Sequence, residues 1–221
     1  MENLAELKLL KKGAEASLYV ADWHDRRVVF KLRHPKKYRP EDLDNQIRTY
    51  RTIHEPQLMN EAKKAGVPTP KIFHVDLKNA LIIMEFIEGS QVKIVLESMA
   101  KMEREELCLK IGSLIGKLHT HGVVHGDLTT SNMILNAEGR VVFVDFGLGE
   151  KTLELEAKGV DLHLMKRALQ STHYEVADEC FGNIINGYSL VLGKDGAKSV
   201  LEKISEIEKR GRYVAERKQD A

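Results

Sequence analysis

The chain has 221 residues, of which 43% are apolar and 30% charged, so it can bury the core of one domain or two small lobes and is not a disordered polymer. Its 34 lysines and arginines are balanced by 33 acidic residues, which excludes a uniformly basic nucleic-acid coat but leaves room for local basic patches. Because it has no bilayer-length apolar run, no signal peptide and only two cysteines, Cys108 and Cys180, we expect a reduced, cytoplasmic protein without a membrane partner.

The first third of the sequence is predicted to form strands. Segments 7–12, 16–22 and 27–33 are rich in Val, Leu, Phe and Tyr and are separated by Gly13 and a polar turn. This pattern is typical of an antiparallel meander. Two later segments of similar composition predict two more strands, at 71–76 and 80–86.

Between the third and fourth strands, apolar and aromatic side chains recur every three or four residues, which predicts a helix with one buried face. The residues of that face are Leu43, Ile47, Tyr50, His54 and Leu58. Gly66 and Pro68 are expected to end this helix.

The rest of the chain is mainly helical in pattern. Apolar stripes predict helices near 107–118, 160–169, 176–188 and 200–207, with two short strands at 133–135 and 141–144. A link near residues 87–90 separates the strand-rich part from the helical part. We therefore predict an α+β chain with an N-lobe at 1–87, a helical C-lobe at 88–208 and a basic tail at 209–221.

Three motifs stand in the order that phosphoryl transfer from ATP requires. The His-Gly-Asp sequence at 125–127 is followed five residues later by Asn132, Asp145 follows a strand and precedes Phe-Gly, and Lys31 lies on the third strand. Such a site needs a carboxylate to orient the attacking oxygen, oxygen ligands for Mg²⁺ and a cation for the α- and β-phosphates. We predict Asp127 as the orienting carboxylate, Asn132 and Asp145 as Mg²⁺ ligands, and Lys31 as the phosphate-binding cation.

Each of these residues also has a purely structural interpretation. Asp127 alone fits a helix or turn cap and Lys31 alone fits an edge-strand lysine, but neither interpretation accounts for the other motifs. His119, His121 and His125 have irregular spacing, and no thiolate or carboxylate completes a metal site around them. We therefore interpret His125 as a residue that holds the catalytic loop.

The remaining nucleotide contacts are assigned by position. The turn between the first two strands, Gly13-Ala14-Glu15-Ala16, has one glycine where kinases usually have three, and we predict that it covers the phosphates. Out of context it fits any tight turn. The segment Met84-Glu85-Phe86-Ile87 ends the fifth strand and is predicted to offer adenine a backbone carbonyl and an N–H.

With these motifs in place, the chain resembles the small atypical kinase/ATPase family of the KEOPS complex, the PRPK type, which is related to the RIO kinases. The similarity extends over nearly the whole chain. The Gly-Ala-Glu-Ala turn and the Arg-rich C-terminal end are more specific to that family than the kinase motifs are. The segments that carry the resemblance are 12–16, 31–33, 37–39, 43–44, 51–55, 65–68, 125–133, 145–148, 171–173 and 210–213.

The resemblance implies a two-lobed protein-kinase-like fold, ATP and Mg²⁺ as cofactors, and ATPase activity with Ser/Thr phosphorylation of the chain itself or of other proteins. It implies a role in the synthesis of threonylcarbamoyladenosine at position 37 of tRNAs that read ANN codons, with the threonylcarbamoyl-transferase subunit and a small Cgi-type subunit as partners. It also makes Glu55 the helix carboxylate that pairs with Lys31. Because Pro56 disfavours helical geometry in the residue before it, Glu61 stays open as the alternative.

Two basic clusters are candidate contacts for tRNA phosphates. The N-lobe cluster is alternatively a nucleotide contact, and the tail cluster alternatively reaches the partner subunit. Solvated lysines and arginines without a nucleic-acid partner give the same pattern, so both interpretations stay open. The clusters are Arg33, Lys36, Lys37 and Arg39 in the N-lobe, and Arg210, Arg212, Arg217 and Lys218 in the tail.

Three other functions share parts of this pattern. A small-molecule phosphotransferase has a similar His-Gly-Asp loop, a general Ser/Thr protein kinase has the same motifs, and a nucleotide-dependent structural subunit binds ATP without turnover. Only the last third of the chain follows Gly147, and it contains no Ala-Pro-Glu motif. This favours ATP hydrolysis or restricted phosphorylation over a broad peptide-docking platform.

Overall fold

An antiparallel sheet and one long helix form the N-terminal lobe. The computed structural model describes the backbone of residues 7–219 and the side chains of residues 7–210. The predicted strands are present as β1 (Lys8–Lys12), β2 (Ser17–Trp23), β3 (Arg26–Leu32), β4 (Ile72–Asp76) and β5 (Leu81–Glu85). They pair in the order β1-β2-β3-β5-β4, and α1 (Glu41–Lys64) connects β3 to β4.

The strand β3 separates two apolar layers because its side chains alternate between the two faces of the sheet. Val28 and Phe30 are buried in a small cluster on the outer face, whereas Val29 belongs to the main core. Lys31 and Arg33 follow Val29 at steps of two residues. The strand therefore directs both cations toward α1 and the cleft between the lobes.

The predicted buried face of α1 is wrong over most of the helix. Leu43 and Tyr50 are exposed, and Tyr50 stacks on His54 with ring centroids 3.9 Å apart. The side chains that are buried instead are Asp44, Thr52, Glu55, Leu58, Met59 and Ala62. The first half of the helix lies beside charged residues of the cleft, where polar side chains find partners. Only the turns from Leu58 onward reach the apolar core.

Pro56 lies inside α1 without ending it. Proline lacks the N–H for the helical hydrogen bond, yet the helix continues to Lys64. Glu55 therefore keeps its place on the inner face of the helix. Glu61 lies elsewhere on the surface, where its carboxylate is 2.7 Å from Lys151 Nζ.

The C-terminal lobe is built mainly from three helices. Its strands and short helices surround residues 125–132 and 145–147, and both predicted strands at 133–135 and 141–144 are present. In chain order the elements are β6 (Ser90–Gln91), α2 (Val92–Val95), α3 (Lys101–Thr120), β7 (Val123–Val124), a 3-10 turn (Thr130–Asn132), β8 (Met133–Leu135), β9 (Val141–Phe143), β10 (Glu150–Lys151), α4 (Leu155–Thr172) and α5 (Ala177–Gln219).

The last helix, α5, has a break at Gly193, whose φ of 79° and ψ of 162° are not helical. Glycine accepts this conformation without the steric cost of a side chain. The second part of α5 runs through residue 209, where the sequence predicts a separate tail, and continues to Gln219. The predicted tail contacts Arg212, Arg217 and Lys218 lie outside the described side chains.

Helices α3 and α5 form the centre of this lobe, and glycines let their backbones approach closely. A Cβ atom on Gly112 would lie 1.9 Å from the Ile184 carbonyl oxygen, and one on Gly187 would lie 1.9 Å from the Leu109 carbonyl oxygen. Cys108 on α3 and Cys180 on α5, both buried here, are free thiols. None of the helices between residues 7 and 219 is long and apolar enough to cross a membrane.

Candidate active site

Two adjoining cavities lie in the cleft between the lobes. The first, of about 330 Å³, is lined by apolar side chains of the sheet such as Leu18, Val29 and Met84. The second, of about 370 Å³, is lined by the 13–16 turn and by charged residues of both lobes. Lys31 and Asp145 line both cavities. The cleft is thus apolar at one end and charged at the other, as a site for a nucleotide with phosphates requires.

The structure brings Lys31, Glu55 and Asp145 into direct contact. Lys31 Nζ is 2.7 Å from Glu55 Oε1 and 2.7 Å from Asp145 Oδ1. These residues come from β3, from α1 and from the segment after β9. Between the two candidates left open by the sequence, Glu55 is therefore the one beside Lys31.

Asp145 is held as a carboxylate by its surroundings. Burial opposes its charge, but the attraction of Lys31 and the hydrogen bond from Lys31 Nζ lower the pKa of Asp145 to about 2. Its backbone has a φ of 65°, an uncommon conformation for a residue other than glycine. A sparsely populated backbone conformation of this kind is typical of functional sites.

Asp127 and Asn132 form the second part of the charged end. The amide of Asn132 donates to Asp127 Oδ2 at 2.8 Å and to the Asp127 carbonyl oxygen at 2.9 Å. Because both bonds use Asn132 Nδ2, its carbonyl oxygen Oδ1 remains for another partner. Both residues line the second cavity together with Asp145.

A buried carboxylate beneath the catalytic loop was missed by the sequence analysis. Asp161 on α4 accepts hydrogen bonds from the backbone N–H of His125 at 2.6 Å and of Gly126 at 2.9 Å. Gly126 has a φ of 78°, and an added Cβ would lie 2.0 Å from the Leu148 carbonyl oxygen. The only signal in the sequence was an aspartate inside the apolar stripe of a predicted helix.

Two histidines form hydrogen bonds around this loop. His125 Nε2 is 3.1 Å from the Val144 carbonyl oxygen, which joins the catalytic loop to the segment before Asp145. His119 Nε2 is 3.3 Å from Asp161 Oδ2. Among the described residues, no group of three or more His, Cys, Asp or Glu side chains could hold a metal ion.

The predicted phosphate-covering turn is attached to its surroundings by basic side chains. Glu15 Oε2 is 2.6 Å from Arg51 Nη1 on α1, and Glu15 Oε1 is 3.3 Å from Arg39 Nη2. Lys36 Nζ donates to the Ala14 carbonyl oxygen. These contacts tie the position of the turn to that of α1 and of the segment after β3.

These contacts change the interpretation of the first basic cluster. Arg33 is only 3% exposed and contacts Glu55, so the prediction that it contacts tRNA is wrong. The alternation of β3 places it inside the cleft. Lys36 and Arg39 are engaged with the 13–16 turn, whereas Lys37 is exposed.

The predicted adenine-binding segment lines the first cavity, as its position suggested. Met84, Glu85, Phe86 and Ile87 all contribute to its wall. Two of their N–H groups are used within the N-lobe, since Glu85 donates to the Lys71 carbonyl at 2.8 Å and Phe86 to the Arg27 carbonyl at 3.4 Å. The next N–H along the chain is that of Ile87.

Comparisons with known proteins point to one family. The RIO domain family profile matches residues 17–152. The chain is 47% identical over 213 residues to the KEOPS complex subunit Bud32 of Pyrococcus abyssi, which covers 94% of this chain and 96% of that protein. It is 44% identical over 206 residues to a protein of Methanothermobacter thermautotrophicus named a probable bifunctional tRNA threonylcarbamoyladenosine biosynthesis protein, covering 93% of this chain but only 36% of that one.

A solved structure shows the same fold. The crystal structure of the Rio2 kinase from Chaetomium thermophilum matches with a TM-score of 0.54 at 17% identity and covers 93% of this chain and 72% of that one. At this identity the likeness concerns the fold alone. The prediction of an α+β, two-lobed, kinase-like fold is confirmed.

Proposed function

We propose, from the premise that the chain belongs to the RIO domain family in the branch of the KEOPS complex subunit Bud32, that it is an ATPase and atypical kinase of tRNA threonylcarbamoyladenosine synthesis. Its cofactors on this proposal are ATP and Mg²⁺. The contact of Lys31 with both Glu55 and Asp145, beside a cavity that Asp127 and Asn132 also line, is the observation that carries the proposal.

The residues of the charged cavity fit Mg²⁺ and phosphates. Mg²⁺ prefers oxygen ligands and is usually held by one or two protein groups together with substrate phosphates and water. Asp145 offers a carboxylate and Asn132 a carbonyl oxygen, and Lys31 provides the positive charge for the α- and β-phosphates. When bound, the metal supplies electrostatic stabilisation of the charge on the transferred phosphoryl group.

Asp127 is proposed to orient the attacking oxygen, whether water or a hydroxyl. Its carboxylate is fixed by Asn132 on one side, and its loop is fixed by Asp161 through the backbone N–H groups of His125 and Gly126. A carboxylate held in this way can accept a hydrogen bond from the nucleophile and direct its lone pair. At the apolar end, we propose that the Ile87 N–H binds adenine, because those of Glu85 and Phe86 have partners in the N-lobe.

The acceptor is proposed to be water or a restricted set of hydroxyl groups. Only residues 148–154 separate Gly147 from the start of α4, and two of them form β10, which pairs with β7. This short segment leaves little chain to build a peptide-docking platform. It supports hydrolysis or self-phosphorylation over general signalling to many proteins.

The partners are proposed from the relatives. Bud32 is named as a subunit of the KEOPS complex, and the bifunctional relatives are proteins of which this chain spans little more than a third. We propose that the threonylcarbamoyl-transferase subunit and the small Cgi-type subunit bind this chain in the cytoplasm. Among the side chains that the structure describes, we propose the exposed Lys37 and Arg210 as contacts for tRNA phosphates.

Phosphate release from Mg-ATP tests the proposal. We expect release by the wild-type chain that rises with the transferase subunit and tRNA, and a fall to background in Asp127→Ala. The free energy of unfolding should change by less than about 1 kcal/mol, because Asp127 is partly exposed and its main partner is one amide.

Asp195→Ala, an exposed aspartate on α5, serves as the matched control and should retain full release. Wild-type turnover in Asp127→Ala would contradict the assignment of Asp127. Phosphate release that does not rise with the transferase subunit and tRNA, together with transfer of labelled phosphate to added proteins, would favour a general protein kinase. ATP binding without any turnover would favour a structural subunit.

A further inference from the structure

A second cation lies against Glu55. Arg33 follows Lys31 by two residues on the same face of the sheet, and its side chain is almost completely buried. Its guanidinium contacts Glu55 Oε2 and lies 3.5 Å from Thr52 Oγ1 one turn earlier on α1. Each oxygen of the Glu55 carboxylate therefore has its own cation, Lys31 on one side and Arg33 on the other.

The second cation matters because Lys31 has several tasks. In the structure Lys31 is shared between Glu55 and Asp145 at equal distances of 2.7 Å. On the proposed function, Lys31 also has to bind phosphates. Glu55 is buried, and a buried carboxylate without a paired cation is strongly unfavourable. On the proposed function, Arg33 would keep Glu55 paired when Lys31 binds phosphates.

We propose that Arg33 is a positioning residue that holds Glu55, and with it the first half of α1, in the place that Lys31 requires, whether or not nucleotide is bound. This inference rests on the proposed ATP site. Arg33 also lines the second cavity, but its guanidinium is hydrogen-bonded to Glu55 and Thr52, so we assign it to positioning Glu55 and not to binding phosphate.

The packing around α1 makes such an anchor necessary. The buried side chains of its first half are polar, so apolar contacts do not fix its position. This half also forms ion pairs, such as Arg51 with Glu15 and Arg39 with Asp44. The Arg33 side chain is less exposed than those of Arg39 and Arg51. Because it is buried, its ion pair with Glu55 is less sensitive to solvent and salt.

The same guanidinium fills the space beside the Asp-Phe-Gly motif. A Cβ atom on Gly147 would lie 3.4 Å from Arg33 Nη2 and 3.7 Å from Glu55 Oε2. The Arg33 guanidinium therefore contacts α1 and lies close to the segment after Asp145, where both meet the phosphate end of the cleft.

The experiment compares Arg33→Met, which keeps a long side chain without charge, with Arg33→Lys, which keeps the charge. Lys78→Met, an exposed lysine in the turn before β5, is the matched control. For each protein we measure kcat and KM for ATP hydrolysis, the equilibrium affinity for ADP, and amide deuterium exchange of α1 and α3 without nucleotide.

We expect kcat to fall about 100-fold in Arg33→Met, the effect of a small misplacement of a catalytic group, while KM and ADP affinity change less than about threefold. Exchange in the 48–58 part of α1 should become at least about tenfold faster, while α3 stays protected as in the wild type. Arg33→Lys should recover part of both effects, and Lys78→Met should show neither.

A loss of ADP affinity with unchanged kcat and unchanged α1 exchange would overturn the inference and make Arg33 a phosphate ligand. Faster exchange in both lobes would also overturn it, because Arg33 would then serve overall stability. If Arg33→Met does not fold, Arg33→Lys decides by the same criteria. Absence of ATP turnover in the wild type would refute the proposed function, whereas the exchange data would still test Arg33.

Discussion

Each lobe contains one fully buried carboxylate beside the cleft, and the two are held in different ways. Glu55 in the N-lobe is bound by the side chains of Lys31 and Arg33. Asp161 in the C-lobe is bound by the backbone N–H groups of His125 and Gly126 and contacts His119. Both carboxylates are buried and both of their oxygens have hydrogen-bond donors. The donors to Glu55 are side chains, whereas those to the two oxygens of Asp161 include backbone N–H groups.

This difference indicates which part of the site can rearrange. The Lys31 side chain can rotate toward a new anion while Arg33 keeps Glu55 paired, so the Glu55 cluster can exchange one partner if phosphates bind. Backbone N–H groups cannot, so the Asp161 cluster keeps the catalytic loop in one conformation. Burial opposes the charge of Asp161, yet its contacts with His119 and the hydrogen bond from the His125 backbone lower its pKa below the usual value.

Asp161→Asn should produce the largest loss of stability. Both oxygens of Asp161 accept from backbone N–H groups, so an amide must turn its NH₂ toward a donor that cannot move. We expect the free energy of unfolding to fall by about 3–5 kcal/mol, because two buried hydrogen bonds to a charged acceptor, each worth about 1.5–3 kcal/mol, are weakened or lost. Urea denaturation followed by far-UV circular dichroism measures this.

Asp195→Asn, the same change at an exposed site, should alter the free energy of unfolding by less than about 0.5 kcal/mol. If Asp161→Asn changed the free energy of unfolding as little as the control does, the backbone contacts of Asp161 would contribute little to stability. The contrast between a fixed and a movable cluster would then be wrong.

Glu55→Gln should have a smaller effect on stability and a large effect on turnover. The amide oxygen of glutamine can still accept from Arg33, and Lys31 keeps Asp145 as a partner, so neither buried cation is left without an acceptor. We expect a loss of about 1–3 kcal/mol in the free energy of unfolding, the range for a hydrogen bond to a charged group. Phosphate release should fall at least about tenfold because Lys31 loses its orientation.

Glu88→Gln, an exposed glutamate of the interlobe link, is the control for that measurement and should resemble the wild type in both respects. If Glu55→Gln were as destabilising as Asp161→Asn, the Glu55 cluster would be as rigid as the Asp161 cluster. The proposed rearrangement around Lys31 would lose its physical basis.

The sequence allowed good prediction of features that depend on local pattern. The strands β1 to β5 follow from segments rich in leucine, β-branched or aromatic residues and bounded by turns, and the 133–135 and 141–144 strands follow from the same rule. The order of Lys31, Asp127, Asn132 and Asp145 identified the residues that the fold brings to one cavity. Such motifs are readable because each is contiguous and has fixed spacing.

Features that depend on contacts between distant segments were not predictable. The stripe containing Leu43 and Tyr50 has helical spacing but faces outward, since a periodic pattern does not tell which neighbour covers a face. Arg33 was grouped with surface lysines because its partner, Glu55, lies 22 positions away on another element. Asp161 carried no motif, and only the packing of α4 under the catalytic loop reveals its contacts.

The smallest effect is expected for Asp145, the carboxylate that Lys31 shares with Glu55. Its pKa of about 2 lies below the usual 3.8, so its contribution to stability is present above about pH 4 and is lost as the pH falls through about 2. The side chain is 48% exposed, so solvent screens much of the interaction. In buffer without Mg²⁺, the difference in free energy of unfolding between the wild type and Asp145→Asn should narrow as the pH falls from about 4 to about 2.

Glu61 also has a pKa of about 2, so the stability of Glu61→Gln is measured over the same pH range to separate the contribution of Glu61. A difference that stays constant across this range would show that Lys31 does not stabilise the charged form of Asp145, and that the charged end of the cleft owes its arrangement to Glu55 alone.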